Sequence, residues 1–192
     1  MLFVLIGPSS SGKDTILRTL LDRTDIKLEE LPLITTRPMR DGESQYYPYY
    51  FTNTKSFLSN KRVVEYRVYN TALGDWYYGT MLPKNYSITK DYITVNTIDG
   101  YKQILDVVTK RNDGSTVIPL YIQTEDKTRL LRSIDRGGNL VEICRRFIAD
   151  CSDFDDIKVK EIHPEVFDNN DKLPTDEIVK FIKSCKVHKD LA

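Results

Sequence analysis

The chain has 192 residues, enough for one domain with a full hydrophobic core. Lysine plus arginine number 28, as do aspartate plus glutamate, so there is no global basic field of the kind that coats nucleic acid, and an anionic ligand must be met by local clusters of cations. At 40% hydrophobic and 29% charged, the composition is that of an ordinary globular protein, and no apolar stretch approaches the length of a membrane span.

The first predicted element is a strand over Leu2–Ile6, an unbroken apolar run. No charged region precedes it and it is too short for a signal peptide, which points to a cytoplasmic protein. Directly behind it stands Gly7-Pro8-Ser9-Ser10-Ser11-Gly12-Lys13-Asp14-Thr15, and then a helical pattern over 13–22. A strand running through a glycine-bounded loop into a lysine and a helix is the phosphate-cradling P-loop arrangement. Backbone N–H groups at the helix start converge on polyphosphate oxygens, and Lys13 adds a full charge. Asp14 stands where a serine or threonine hydroxyl usually helps to hold Mg²⁺. A carboxylate is also a hard oxygen ligand, so either Asp14 or Thr15 is a candidate metal ligand.

A short strand is predicted at Leu33–Thr35, followed by Thr35-Thr36-Arg37-Pro38-Met39-Arg40-Asp41-Gly42-Glu43. Arg37 and Arg40 flank a proline and offer forked donors suited to a second phosphate. The interval from about 36 to 80 is dense in tyrosine, with Tyr46, Tyr47, Tyr49, Tyr50, Tyr77 and Tyr78. It also alternates in Val64-Glu65-Tyr66-Arg67-Val68-Tyr69, as a small antiparallel insertion would. Tyrosine hydroxyls reach phosphate, aromatic rings stack on bases, and a carboxylate such as Glu65 can accept two N–H bonds from one purine edge.

Further strands are predicted at Tyr92–Asn96, 117–122 and 166–167, alternating with helices over 98–110, 125–134, 140–154 and 175–184. Tyr101, Ile104, Leu105 and Val108 mark one buried helix face, and Thr175, Ile178 and Phe181 another. The segment Arg136-Gly137-Gly138-Asn139 reads as a mobile, arginine-tipped loop. Alternating strands and helices predict a parallel sheet with helices on both faces. Cys144, Cys151 and Cys185 form no Cys-x-x-Cys pair and read as reduced thiols, with Cys144 and Cys151 expected to pack on a shared helix face. His163 and His188 stand far apart and neither reads as a ligand.

Taken together, these motifs resemble the guanylate kinase family of P-loop nucleoside monophosphate kinases. The match runs from Gly-Pro-Ser-x-x-Gly-Lys through Thr-Thr-Arg-Pro-x-Arg-x-Gly-Glu, Tyr-x-Phe at 49–51, Val-x-Glu around Glu65 and Tyr-Tyr-Gly-Thr at 77–80, to an arginine-bearing lid before Arg145-Arg146-Phe147. The resemblance implies a three-layer P-loop NTPase fold with a small antiparallel monophosphate-binding insertion and a lid. It implies one domain over 1–192, with a core of 1–35 and 81–192, an insertion of about 36–80 and a lid of about 135–141. The donor ATP, with Mg²⁺, would be held by Gly7, Ser9, Ser10, Ser11, Gly12, Lys13, Asp14 and Thr15. Lid arginine Arg136, with Arg145 or Arg146 on the next helix, would meet its phosphates. Lys13, Arg37, Arg136 and Arg146 would carry the transfer. Arg37, Arg40, Tyr49 and Tyr78 would take the acceptor phosphate, while Glu65 and Thr80 would read guanine. Asn169 or Asn170 would lie on the adenine side.

Three positions depart from the family pattern. Leu33 stands where serine is usual, Val95-Asn96-Thr97 replaces an acidic Asp-x-Asp and leaves Thr97 on the acceptor side, and Asp14 follows the lysine. The expected reaction is ATP-dependent phosphorylation of GMP to GDP, with small-molecule nucleotides as partners and no nucleic acid or membrane. The alternatives are a kinase for another phosphorylated acceptor, such as ribose 1,5-bisphosphate, and a non-catalytic guanylate-kinase-like protein-binding module. The intact Gly12-Lys13 and the arginine-rich lid argue against the last.

Overall fold

Five consecutive apolar residues, Leu2–Ile6, form strand β1, and all five are fully buried. Only a central strand with both faces covered keeps such a run out of water. A computed structural model of the chain describes residues 1–46, 48–71, 74–137 and 139–190, with side chains as far as residue 186. Tyr47, Gly138 and the His188 side chain, named above, lie outside the described residues.

After β1 come α1 (Lys13–Leu21), β2 (Glu29–Glu30), β3 (Leu33–Thr35), β4 (Tyr50–Phe51), α2 (Thr54–Leu58), β5 (Val63–Thr71) and β6 (Gly74–Met81). The chain continues through β7 (Tyr92–Asn96), α3 (Ile98–Arg111), β8 (Val117–Gln123), α4 (Asp126–Asp135), α5 (Leu140–Asp153), α6 (Asp156–Glu161), β9 (Glu165–Asp168) and α7 (Thr175–Asp190). The core sheet runs β2-β7-β1-β8-β9, and every pairing in it is parallel. Alternate residues of β1 serve opposite layers. Phe3 and Leu5 pack with Ile16 and Leu20 of α1 and Ile178 and Ile182 of α7. Leu2, Val4 and Ile6 pack with Tyr101, Ile104 and Val108 of α3. The expected three-layer α/β architecture is present.

The short strand at Leu33–Thr35 does not join this sheet. It lies in a second sheet, β4-β3-β6-β5, antiparallel to β6 and parallel to β4. Leu31 N–H still bonds to Ile93 O of β7, and the next carbonyl, that of Pro32, accepts from Met81 N–H at the end of β6. The chain therefore passes from one sheet to the other at Pro32, whose missing N–H costs no ladder bond because that position faces away from β7. The second sheet has a small core of its own, Ile34, Phe57 and Met81, flanked by Tyr50, Val63 and Tyr77. It is mixed and carries the short helix α2, where a plain antiparallel insertion was expected.

Two packing expectations are corrected. Cys144 and Cys151 are exposed, because the inward face of α5 is Ile143, Phe147 and Asp150, and both cysteines stand one residue further round. Leu105 is exposed at the edge of the α3 stripe, whose buried face is Tyr101, Ile104 and Val108. Among the described residues, no helix is long and apolar enough to cross a membrane.

Candidate active site

The site lies beyond the carboxyl ends of β1 and β7, beside the central strand of the parallel sheet, where open α/β sheets bind ligands. Helix α1 begins at Gly12, whose φ of 93° is in the left-handed region, and no side chain caps this end. The first-turn N–H groups are therefore free to meet an outside acceptor. A β-carbon on Gly12 would stand 2.2 Å from Asn169 Nδ2, so glycine alone fits. Asn169 Nδ2 donates to Ser11 O at 2.8 Å and Thr124 Oγ1 to the same carbonyl at 3.2 Å, bracing the loop from behind. Of the two asparagines proposed from sequence, Asn169 supports the P-loop, and Asn170 Oδ1 accepts from Glu125 N–H.

The Lys13 ammonium turns back onto the loop, donating to Pro8 O at 2.8 Å and Ser11 Oγ at 3.4 Å. Burial lowers its pKa to about 8, opposed by the charges of Asp14 and Asp150 and reinforced by Arg129 and Arg136. Ser10, at φ 62°, shares a hydrogen bond with Ser133 Oγ and receives one from Arg136 Nη2. Ser9 and Ser10 of the loop, Arg136 and Arg146 line one cavity of about 320 Å³.

Two residues of this region carry no motif in the sequence. Arg129, on α4, is buried against the Phe147 ring at 4.8 Å, with Asp126 at 2.6 Å and Asp150 at 3.4 Å. Asp150, on α5, also accepts Ser9 N–H at 2.8 Å. The pair therefore ties α4 and α5 to the P-loop. A buried arginine and an aspartate 21 residues apart on two helices leave no local pattern to find. Only the unusual presence of charge on the helices' inward stripes hints at them.

A second cavity, of about 570 Å³, is lined by Asp14 from the first turn of α1, Arg146 from α5, Tyr49 and Tyr78 from the insertion, and Leu33 and Val95. Arg146 lines both cavities, whereas Arg145 lines neither and both arginines bond Glu142. Arg37 is buried behind the wall of this second cavity, its guanidinium over the rings of Tyr49 at 5.6 Å and Phe51 at 5.2 Å. It is clasped by Glu43 at 2.7 and 2.5 Å, and Glu43 also accepts Arg40 N–H at 2.8 Å. The Arg37 hydrogen bonds, aided by that of Arg40 N–H, hold the Glu43 carboxyl down at about 2. The carboxylate therefore stays ionised at any working pH. The Arg40 side chain is exposed and lines neither cavity. Tyr49 and Tyr78 meet edge to face, 5.7 Å between centroids, and burial raises the Tyr49 phenol.

Glu65 is buried just behind the same wall. Its Oε1 accepts from Thr80 Oγ1 at 2.7 Å, and Asn96 Nδ2 donates to that hydroxyl at 3.4 Å. This chain links the end of β7 to both strands of the β5–β6 hairpin. Thr97 does not line either cavity; its hydroxyl accepts Gly100 N–H at 3.2 Å and caps α3. Asp14, a hard-oxygen ligand, is among the residues that line the cavity, which suits one ligand of a Mg²⁺ ion otherwise held by water and phosphates. Thr15 is exposed and lines neither cavity. Among the described residues, no group of three or more acidic, histidine or cysteine side chains could hold a metal by itself.

A P-loop at the switch point of a parallel sheet, with arginines from α4–α5 and a tyrosine-lined insertion facing it, defines a P-loop nucleoside monophosphate kinase. The family model for guanylate kinase matches residues 1–183. Guanylate kinase of Lactiplantibacillus plantarum is 29% identical over 160 residues, covering 80% of this chain and 73% of that protein. The enzyme of Enterococcus faecalis is 32% identical over 153 residues, covering 78% and 72%. The crystal structure of guanylate kinase from Anaplasma phagocytophilum superposes with a TM-score of 0.57 at 16% identity, covering 96% of this chain and 85% of that one, and shares its fold. The chain belongs to the guanylate kinase family, whose reaction is the ATP-dependent phosphorylation of GMP to GDP.

Proposed function

We propose that this chain transfers the γ-phosphoryl group of ATP to GMP, with Lys13, Arg136 and Arg146 on the donor and Arg37, Arg40, Tyr49 and Tyr78 on the acceptor phosphate. One observation carries the reading: a single cavity brings together Asp14 beside the P-loop lysine, Arg146 from α5, and Tyr49 and Tyr78 from the insertion. Two polyanions have to meet, so cations must surround the transferring group, and Arg146, facing both cavities, stands where donor and acceptor phosphates would join. The acceptor phosphate is itself the nucleophile, so positioning does most of the work and no general base is required. Arg37 reaches the acceptor by exchanging the Glu43 carboxylate for phosphate, a swap of one bidentate anion for another. Glu65, ordered by Thr80, accepts N–H groups of the guanine edge. Mg²⁺, when bound, would neutralise charge across the β- and γ-phosphates, with Asp14 as the protein ligand. Closure of the insertion over the nucleotides would keep water from the γ-phosphate. Unpaired cysteines fit a cytoplasmic enzyme.

The test is an ADP-release assay on the purified chain with a panel of acceptors. ADP formation with GMP, and little with AMP or ribose 1,5-bisphosphate, is the expected result. Turnover of ribose 1,5-bisphosphate but not GMP would transfer the assignment to a sugar-phosphate kinase, and ATP binding without turnover of any acceptor would leave a binding module.

A further inference from the structure

We propose that Arg67 is a specificity-determining residue that donates to O6 of the acceptor base while Glu65, beside it, accepts from N1–H and N2–H. The proposal rests on the reading that the larger cavity takes GMP.

The strand β5 alternates, so Glu65, Arg67 and Tyr69 share one face, opposite Thr80, Tyr78 and Trp76 of β6. Arg67, Tyr69, Trp76 and Tyr78 line the 570 Å³ cavity. Three aromatic rings there offer a stacking platform for a base. Two polar atoms in and just behind its wall lack hydrogen bonds. Glu65 Oε2 and Arg67 Nε are both buried and neither makes a hydrogen bond among the described residues. They form an ion pair at 3.8 Å, too long for a hydrogen bond to one another. A buried donor and acceptor held this close without hydrogen bonds are unfavourable, so a ligand that reaches and satisfies both gains from each. Guanine presents an acceptor and two donors in a row along one edge: O6, N1–H and N2–H. A guanidinium donor beside a two-oxygen carboxylate acceptor is the complement of that row. Adenine has a donor at the first of these positions, an acceptor at the second and a C–H at the third, so it cannot match them together. With Leu33 and Val95 apolar in the cavity wall, a second polar reader from β5 supplies what those positions do not.

The experiment compares GMP with 6-thio-GMP, in which a weak sulfur acceptor replaces O6 and the N–H donors remain, in the wild type, Arg67→Leu and Arg67→Lys. The wild type should prefer GMP. Arg67→Leu should raise the GMP KM by roughly tenfold, the lower end of what a specific side-chain contact to a base is worth, and bring the two acceptors to near equality. The KM for ATP should hold, and Arg67→Lys should keep part of the preference. An equal loss with both acceptors would overturn the proposal in favour of a phosphate contact or a structural role, as would an unchanged GMP KM. If Arg67→Leu fails to fold, as its melting curve would reveal, the wild-type preference and its reduction in Arg67→Lys decide. A wild type inactive on GMP would instead defeat the functional reading, before any variant is made.

Discussion

At Lys13 the charge that serves the ligand opposes folding. Burial lowers its pKa from 10.5 to about 8 in the nucleotide-free protein. A lysine depressed by folding binds fewer protons in the folded than in the unfolded state between those two values. Stability of the nucleotide-free protein therefore rises with pH from about 8 to 10.5, and below 8 the cost of the buried cation is felt in full. A triphosphate beside the ammonium restores its affinity for the proton. Titration calorimetry with ATP at pH 8, in buffers of different ionisation enthalpy, should show uptake of up to about half a proton, fading toward pH 6.5. Lys13→Met should lose that uptake and, on the present reading, most of its turnover. Uptake that survived in the variant would assign the titration to another group.

Among the elements, α4 and α5 are held by charge in a place where apolar packing would serve. Arg129 has only 4% of its side chain exposed and shares Asp150 with the Ser9 amide of the P-loop. Removing one partner of a buried pair leaves the other desolvated without compensation. Urea unfolding of Asp150→Ala should show a loss of about 2–3 kcal/mol, and Arg129→Leu/Asp150→Leu together should recover most of it. A single variant as stable as the wild type would mean that Asp126, at 2.6 Å, already satisfies Arg129. The pair joins the P-loop to the helix that presents Arg146, so it sets the distance between two groups assigned to the same phosphates.

On the scale of the whole molecule, the insertion has a small core of its own, Ile34, Phe57 and Met81, while Val64 of β5 is buried with Tyr101 and Ile104 in the layer that α3 lays on the parallel sheet. That seam is extended by the crossing at Pro32, the Asn96–Thr80–Glu65 chain and a bond from Tyr66 N–H to Gln103 Oε1 at 3.2 Å. A body with its own core, joined along one seam, can swing about that seam. Hydrogen exchange should therefore show residues 36–80 protected more by GMP with a non-hydrolysable ATP analogue than by either alone. Protection equal to the sum of the single ligands would argue for two rigid, independent sites.

Much of this protein was written in local pattern. An apolar run, a glycine-bounded loop and a lysine marked β1, the P-loop and α1, because backbone geometry and phosphate chemistry both act within a few residues there. Short apolar runs marked the core strands, period-two spacing marked β5 of the insertion and three-to-four spacing marked α3 and α7 for the same reason, while α2, α6 and β2 are too short to show a period. What local pattern could not contain is which residues meet across the chain. Folding alone set Arg146 rather than Arg145 facing both cavities, put the Thr97 hydroxyl on a helix cap, turned Cys144 and Cys151 outward, and brought Arg129 to Asp150 and Asn96 to Thr80. Those outcomes depend on helix rotation and strand register, which are fixed by packing against distant elements and not by neighbours in sequence.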